Sequence, residues 1–323
     1  MKVSIAMATY NGAKYILQQL ESFANQSRLP DELVISDDCS TDETESIVHA
    51  FAGHAPFVVK FHRNKKNLGY CGNFNEALQK TTGDIVFLSD QDDVWFPEKI
   101  EHMLGVAEQH PDALVIMNDA ALTDGELNEV GLTKLGQIRS SGLSIENFVM
   151  GCCCAIRREL LDLCIPIPAG VKAHDNWLVA FADGLSAKVI EPIVLQYYRR
   201  HDSNESQFIA NSTKKLTRSK RLIYSLKNLI NSNAHNAIEM QLEQMKIFAD
   251  GVERSRKYAP DKYEESLIRI ENSYREKISF TEKRLKIVNK PLLERFIYAT
   301  FFLLNGRYQL ANGYRSAIRD IWG

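Results

Sequence analysis

Asp84-Ile85-Val86-Phe87-Leu88-Ser89-Asp90-Gln91-Asp92-Asp93-Val94-Trp95 decides how the rest of this chain is read. Ile85 to Leu88 is an apolar run of strand length, so Asp84 to Ser89 is expected to be a buried strand that delivers an acidic cluster. Three acids within Asp90 to Asp93 repel one another unless a cation or strong donors neutralise them. Oxygen-only ligands suit Mg²⁺ or Mn²⁺, and Mg²⁺ commonly takes one or two carboxylates together with substrate phosphates. An Asp-x-Asp also arises by chance, and an acidic turn capping a helix after Pro97 is the competing reading.

Upstream, the chain alternates strand and helix signals. Val3 to Ala8, Leu33 to Ser36 and Phe57 to Phe61 read as three earlier strands. Ala13 to Asn25, a segment ending near Phe51, and Asn73 to Lys80 read as helices. Ser40-Thr41-Asp42-Glu43 has the form of a capping box for the second of these. Short strands alternating with helices predict an α/β fold with a mostly parallel sheet. Ligands of such sheets bind beyond the carboxyl ends of the strands. Thr9-Tyr10-Asn11, Asp37-Asp38 and Asp90 to Asp93 all fall there, on one expected edge.

The chain has 323 residues, 45% of them hydrophobic and 25% charged, enough for one large domain and a smaller one. No secretory leader is read at the N-terminus, and no stretch reaches the roughly 18 to 20 apolar residues of a membrane-spanning helix. Six cysteines, three of them consecutive at Cys152, Cys153 and Cys154, suit neither a disulfide framework nor a zinc site. They read as reduced, buried residues of a cytoplasmic protein, which makes the sequons at Asn25, Asn204 and Asn211 chance occurrences. The net charge of -2 hides an asymmetry: residues 1–210 carry 17 basic and 29 acidic groups, residues 211–323 carry 22 and 12. That segregation predicts two domains, 1–211 and 212–323, with different partners.

Other phosphate-binding devices are missing, since there is neither a GxxxxGK loop nor a GxGxxG after the first strand. Metal-mediated phosphate binding is what remains. Asp175, in Ala173-His174-Asp175-Asn176-Trp177, precedes an apolar helical stretch. It reads either as a first-turn carboxylate or as a general base, because a helix N-terminus favours the ionised form. His201 follows a strand-like run, Val194 to Tyr198, beside Arg199 and Arg200, which can pair with phosphate. A structural histidine is the alternative.

Taken together, these residues resemble the inverting nucleotide-sugar glycosyltransferases of family 2, which have the GT-A fold. The resemblance covers about residues 1 to 205. It rests on Ala8-Thr9-Tyr10-Asn11-Gly12, Asp37-Asp38-Cys39-Ser40-Thr41-Asp42 and Asn67-Leu68-Gly69, in that order. It implies a Rossmann-like mixed, mostly parallel sheet flanked by helices, with a helical C-terminal subdomain. Thr9 and Tyr10 would line the base pocket next to Asn11, with Asp38 accepting from a pyrimidine. Asn67, Gly69 and Asn73 would lie near the donor, and Asp90 would face ribose or sugar. Asp92 would hold the divalent cation, His201 would complete that site, and Asp175 would be the base. Gly151 would sit in a loop approaching donor and acceptor.

Two departures, His174 where the family commonly has Glu and Arg200 where processive synthases have Trp, resemble the rhamnosyltransferase-like branch of bacterial surface polysaccharide synthesis. A nucleotide-sugar donor and a saccharide acceptor carried on a lipid pyrophosphate are therefore expected, with a single sugar added per reaction. The rivals are a sugar-nucleotide nucleotidyltransferase and a non-catalytic nucleotide-sugar-binding protein.

From about Ser212 the texture becomes basic and helical. Leu222, Leu226, Leu229 and Ile230, then Ile238, Leu242 and Met245, recur at helical spacing. Residues 291–304 are apolar and aromatic beside Lys283, Arg284, Lys286, Lys290 and Arg295. They read either as a core-packing helix or as an interfacial one, which would place residues 285–323 peripherally on the inner face of the cell membrane. Homo-oligomer contact is the other use expected of this part. Lys214 to Arg221 has no interleaved aromatics, so no nucleic-acid partner is expected.

Overall fold

The computed structural model describes residues 1–201, 204, 211–231 and 233–323, with the side chains of 225–231 outside the described set. Asp202 and Ser203, and the side chains of Leu226, Leu229 and Ile230, therefore lie outside the described residues. The chain divides into two compact units, 1–169 with 173–218, and 170–172 with 219–323.

In the first unit, β1 (Val3–Thr9), β2 (Glu32–Asp37), β3 (Val58–Arg63) and β4 (Ile85–Ser89) alternate with α1 (Ile16–Ala24), α2 (Thr44–Ala52) and α3 (Gly69–Lys80). β4 reads as a continuous apolar run because all five of its residues are buried, as a strand covered on both faces requires. α1 turns Ile16, Leu20 and Phe23 inward while Leu17 and Glu21 face solvent, the one-sided burial that period 3.6 dictates. The N-terminal ends of β1 and β4 are stitched by Asp84, whose carboxylate accepts from the Lys2 amide.

Beyond β4 come β5 (Val94–Trp95), α4 (Lys99–Gln109), β6 (Val115–Thr123), β7 (Glu129–Thr133), α5 (Lys134–Ser140), β8 (Cys154–Arg157), α6 (Arg158–Cys164), α7 (His174–Gly184) and β9 (Lys188–Arg199). One nine-stranded sheet results, in the order β3-β2-β1-β4-β8-β6-β9-β5, with β7 beside β6. β3-β2-β1-β4 is parallel throughout, β8 runs antiparallel to β4 and β6, and β9 is again parallel to β6. The mixed sheet with flanking helices is the one expected. The core beneath it is centred on Ile5, Phe23, Phe87 and Trp95, with the Phe23 and Trp95 rings 4.7 Å apart, edge to face.

Register places the chemistry. Thr9 lies opposite Asp37, and Met7 opposite Ser89, so the loops after β1, β2 and β4 leave from the same edge. The short antiparallel pairing of β5 with β9, Val94 to Tyr197 and Trp95 to Gln196, brings the end of the acidic run against Arg199 to His201.

Two local expectations are corrected. The capping box does not form: Ser40 instead donates its hydroxyl to Asp37, and Asp42 accepts from both the amide and the hydroxyl of Thr44. The domain boundary lies at 218/219 and not near 211. The buried Gln137 side chain donates to the carbonyls of Ser212 and Lys214 and accepts from the Leu216 amide, which ties 212–216 to the first unit.

The second unit is helical: α9 (Ala234–Arg256), α10 (Asp261–Ile287), α11 (Leu292–Leu304) and α12 (Tyr314–Trp322), preceded by α8 (Arg218–Asn231), which starts at the boundary. α9 and α10 pack along each other, with the Phe248 and Tyr274 rings 4.4 Å apart. A small core of Phe280, Ala299, Tyr308 and Ala317 joins α10, α11 and α12. No described helix is long and apolar enough to cross a membrane.

Candidate active site

The loop after β1 is clamped to the acidic run. Gln91 accepts from the Tyr10 amide through Oε1 at 2.9 Å and donates from Nε2 to the Tyr10 carbonyl at 3.0 Å. A Cβ on Gly12 would meet Gln91 Oε1 at 2.3 Å, so the glycine is what lets the amide side chain lie there. Asn11 holds a positive φ of 47° and turns its carbonyl oxygen to the Thr41 amide, 2.8 Å away. Tyr10 is left projecting, 51% exposed.

The carboxylates after β2 are occupied by the protein itself. Asp37 accepts from Thr9 Oγ1 at 2.9 Å and from the amide and hydroxyl of Ser40. Asp38 accepts from Asn64 Nδ2, the Leu68 amide and the Gly69 amide, all at 3.0 Å or less. Asn73 is buried and spans from the Thr9 carbonyl to Asn64, while Asn67 caps back onto the Asp38 carbonyl and the Gly69 amide. Gly69, at a φ of +73°, opens α3 in a conformation that disfavours a side chain. Thr9, Asp38 and Asn73 build the loop frame of the edge, and their side-chain polar groups are already bonded within it.

The acidic run itself is unevenly satisfied. Asp93 is fully buried and accepts from Gln196 Nε2 at 3.0 Å and the Arg199 amide at 3.3 Å. Gln196 in turn accepts from the buried Lys99 ammonium, which also donates to the Cys152 carbonyl and lies 3.9 Å from the centre of the Trp95 ring. Burial lowers the affinity of that lysine for its proton. Asp92 accepts from Asn204 Nδ2 at 3.0 Å and lies 2.8 Å from His201 Nε2, with both side chains near 15% exposed. Burial, then the charges of Asp92 and Asp175, push Asp90 up to about 7. Burial, then Asp92 and Asp90, push Asp93 well above the usual carboxylate range. The cluster therefore resists carrying its full negative charge and favours a proton or another positive partner.

That imbalance fits a divalent cation. Asp90, Asp93 and Cys152 offer ligand atoms within 4.8 Å of one another, but Cys152 is a buried thiol pushed well above its ordinary range, a poor partner for a hard ion. Asp92 and His201, whose Oδ2 and Nε2 lie 2.8 Å apart, offer an oxygen and an imidazole nitrogen, donors that suit Mg²⁺ or Mn²⁺ better than a buried thiol.

Asp175 sits in the first turn of α7 and feeds the same field, since its charge helps raise both Asp90 and the Cys71 thiol. Gly151 lies against it: a Cβ there would come 3.5 Å from Asp175 Cβ and 2.9 Å from His174 Nε2. His174 is 95% buried, stacks on Phe74 at 3.9 Å and has no hydrogen-bond partner on either ring nitrogen among the described residues. Burial keeps its imidazole neutral.

The Arg199 guanidinium donates to the Asp92 and Gly125 carbonyls and to Gln18 Oε1, stacks 4.4 Å from the Tyr15 ring, and so forms a wall of the site. Arg200 donates to Tyr198 Oη. Tyr15, whose ring lies 4.8 Å from His201, and Asn204, which bonds Asp92 and receives the His201 amide, were not read from the sequence. Tyr15 stands 186 positions from His201 and Asn204 stands 112 from Asp92, and only those neighbours in space mark them.

Residues 4–164 match the pattern of glycosyl transferase family 2. The dTDP-rhamnosyl transferase RfbG of Shigella flexneri is 27% identical over 225 residues, 62% of this chain and 73% of its own. Other curated relatives are matched over 39% and 69% of their lengths. The solved structure of Staphylococcus aureus TarS residues 1–349 in complex with UDP superposes with a TM-score of 0.54 at 19% identity, covering 85% of this chain and 91% of that one. The mannosyltransferase PcManGT of Pyrobaculum calidifontis, in complex with GDP-Man and Mn²⁺, gives 0.51 at 17% identity over 99% of this chain and 87% of that one. At these identities the structures establish the shared fold.

Proposed function

This chain belongs to glycosyl transferase family 2, and from that premise we propose that it moves a single sugar from a nucleoside-diphosphate donor to a hydroxyl of a surface-glycan precursor with inversion. The observation that carries the proposal is the acidic run after β4, where burial and Asp92 push Asp90 up and Asp175, in the first turn of α7, adds its charge. A donor diphosphate brings further negative charge, which such a pocket accepts only with a cation. Asp92 and His201 would hold Mg²⁺ or Mn²⁺, which supplies Lewis-acid stabilisation of the departing diphosphate.

The protein's own residues do the rest. Tyr10 offers an exposed ring on which a nucleobase can stack, beside the loop that Asp38 and Asn67 hold in place. Asp90 faces the ribose or the sugar. Asp175 removes the acceptor hydroxyl proton, the freed oxygen attacks the anomeric carbon, and the electron pair of the broken glycosidic bond leaves with the diphosphate. One displacement inverts the centre.

Similarity to RfbG favours rhamnose as the sugar and O-antigen or capsule as the product. An acceptor of that kind is carried on a lipid pyrophosphate at the cytoplasmic face of the membrane. The test is turnover of dTDP-rhamnose, UDP-glucose and UDP-galactose with and without Mn²⁺, repeated with Asp175→Asn. Transfer should fall about 10³-fold or more, with donor binding retained. Full turnover by Asp175→Asn removes that residue as the base. Donor binding with no turnover by the native chain would favour a nucleotide-sugar-binding protein instead.

A further inference from the structure

The second unit carries an apolar surface that its fold leaves uncovered. α11 has 13 residues and turns Ala299 and Phe302 inward, where Phe302 meets Phe280 edge to face at 5.4 Å. Its other side presents Leu293, Phe296, Ile297, Phe301 and Leu304, each between 54% and 83% exposed. Positions 293, 297, 301 and 304 follow one another at spacings of four, four and three, so they form one continuous stripe along the helix. α12 repeats the pattern at every fourth residue with Tyr314, Ile318 and Trp322, all exposed. Soluble domains rarely leave so many large apolar side chains contiguous without a partner.

The occupant is indicated by charge. Residues 283–323 contain eight basic and two acidic side chains; Arg284 and Asp320 pair in the interior, which leaves seven basic against one acidic. Lys283 and Lys286 are exposed at the end of α10. The Lys290 ammonium lies 5.2 Å from the Tyr298 ring, and the Arg315 guanidinium 5.9 Å from the Tyr314 ring, so cations border both apolar stripes. Aromatic rings flanked by lysine and arginine are the side chains favoured where hydrocarbon meets headgroups. At roughly 1.5 Å per residue α11 is about 20 Å long, too short to cross a hydrocarbon core of about 30 Å. It is long enough to lie in the plane of the interface.

We propose that α11 and α12 bind the surface of an anionic lipid bilayer, with the Leu293–Ile297–Phe301–Leu304 stripe inserted to the depth of the acyl chains and the bordering cations on the headgroups. The inference deepens the reading of a lipid-carried acceptor but is tested apart from it. Full-length protein is sedimented with vesicles of phosphatidylcholine alone, and with vesicles of phosphatidylcholine and phosphatidylglycerol in equal parts, at low and high salt. Binding should require phosphatidylglycerol and fall with salt. The triple variant Leu293→Glu, Ile297→Glu, Phe301→Glu alters only exposed positions; it should keep the native thermal midpoint and donor turnover while losing roughly tenfold or more in vesicle affinity.

Absence of binding by the native chain, or equal binding by the folded triple variant, overturns the proposal. So does a dimer in solution that the triple variant dissolves, which would assign the stripe to a second copy of the chain. Loss of transfer by Asp175→Asn with vesicle binding intact separates failure at the strand edge from failure at this surface.

Discussion

Asp320 and Asp93 are both fully buried, one in each unit, and among the described residues only Asp320 is paired with a cation. Arg284 grips Asp320 with two bonds of 2.8 and 2.9 Å, and Tyr308 Oη adds a third at 2.7 Å. Asp93 receives an amide side chain and a backbone amide, its neighbours Asp92 and Asp90 are carboxylates, and the buried Lys99 ammonium reaches it only through Gln196. The first arrangement closes on the carboxylate, leaving only Arg284 Nη1 without a hydrogen-bond partner among the described residues. The second is left short of positive charge, and a fold that tolerates this shortage keeps it where a ligand will supply the difference. Charge burial alone therefore does not mark a site; charge burial without compensation does.

Breaking the closed cluster should give the largest effect. Arg284→Ala leaves Asp320 buried without its cation, which costs about 3–5 kcal/mol. The helical unit should lose its thermal transition, or become sensitive to limited proteolysis between α10 and α12. A change under 1 kcal/mol would show that Tyr308 and entering water suffice, and the contrast between the two clusters would weaken.

The open cluster should respond in the opposite sense. Asp92→Asn removes one of the mutually repelling charges, so the metal-free protein should be as stable as the native chain or more so. Transfer should nevertheless fall about 10²- to 10³-fold at fixed Mn²⁺. Loss of stability together with activity would mean that Asp92 is a structural acid like Asp320. Asn204→Ala sharpens the same point at smaller cost. Its amide bonds Asp92 and its carbonyl receives the His201 amide, so it positions both proposed ligands. The Mn²⁺ concentration for half-maximal transfer should rise roughly tenfold, with the maximal rate at saturating Mn²⁺ nearly unchanged.

How much of this could be read from the residues differs between the clusters too. The edge that carries the open one was legible, because Thr9, Asp37 and Asp90 each end a run of strand-forming residues, and parallel strands align such ends automatically. The uses of individual side chains were not. Asp38 and Asn73 carry the same polar groups whether they face a ligand or a loop, and only Asn64 and the amides of Leu68 and Gly69 decide between those fates. Gln196 and Asn204 meet the run from 103 and 112 positions away, Lys99 reaches it through Gln196, and no local pattern announces such partners. Gly12 is an instructive middle case. Its place in the strand-one loop is plain in sequence, but the reason no side chain fits there is Gln91, which the acidic run supplies from the other strand. The closed cluster was hidden entirely, since Arg284 was counted among the surface cations and lies 99% buried.

The smallest effect is also the most direct measure of the shortage. Asp90 is raised to about 7 in the folded chain, against about 3.9 when unfolded. The folded state therefore holds this proton more tightly than the unfolded state does. The stabilising contribution is fully present below the unfolded value and is lost as the pH rises through about 7. Metal-free protein should gain stability between about pH 8 and about pH 5.5, by no more than roughly 1 kcal/mol per pH unit. Asp93, raised by the same neighbours, shares the titration, which spreads it over a wider range. Histidines elsewhere titrate in the same window, so the quantity to read is the difference between native protein and Asp90→Asn in thermal midpoint against pH. Mn²⁺ should erase that difference at pH 8 if the cation supplies what the proton supplies at low pH. A difference that persists unchanged with Mn²⁺ would place the ion away from these carboxylates, and the uncompensated cluster would then need another ligand.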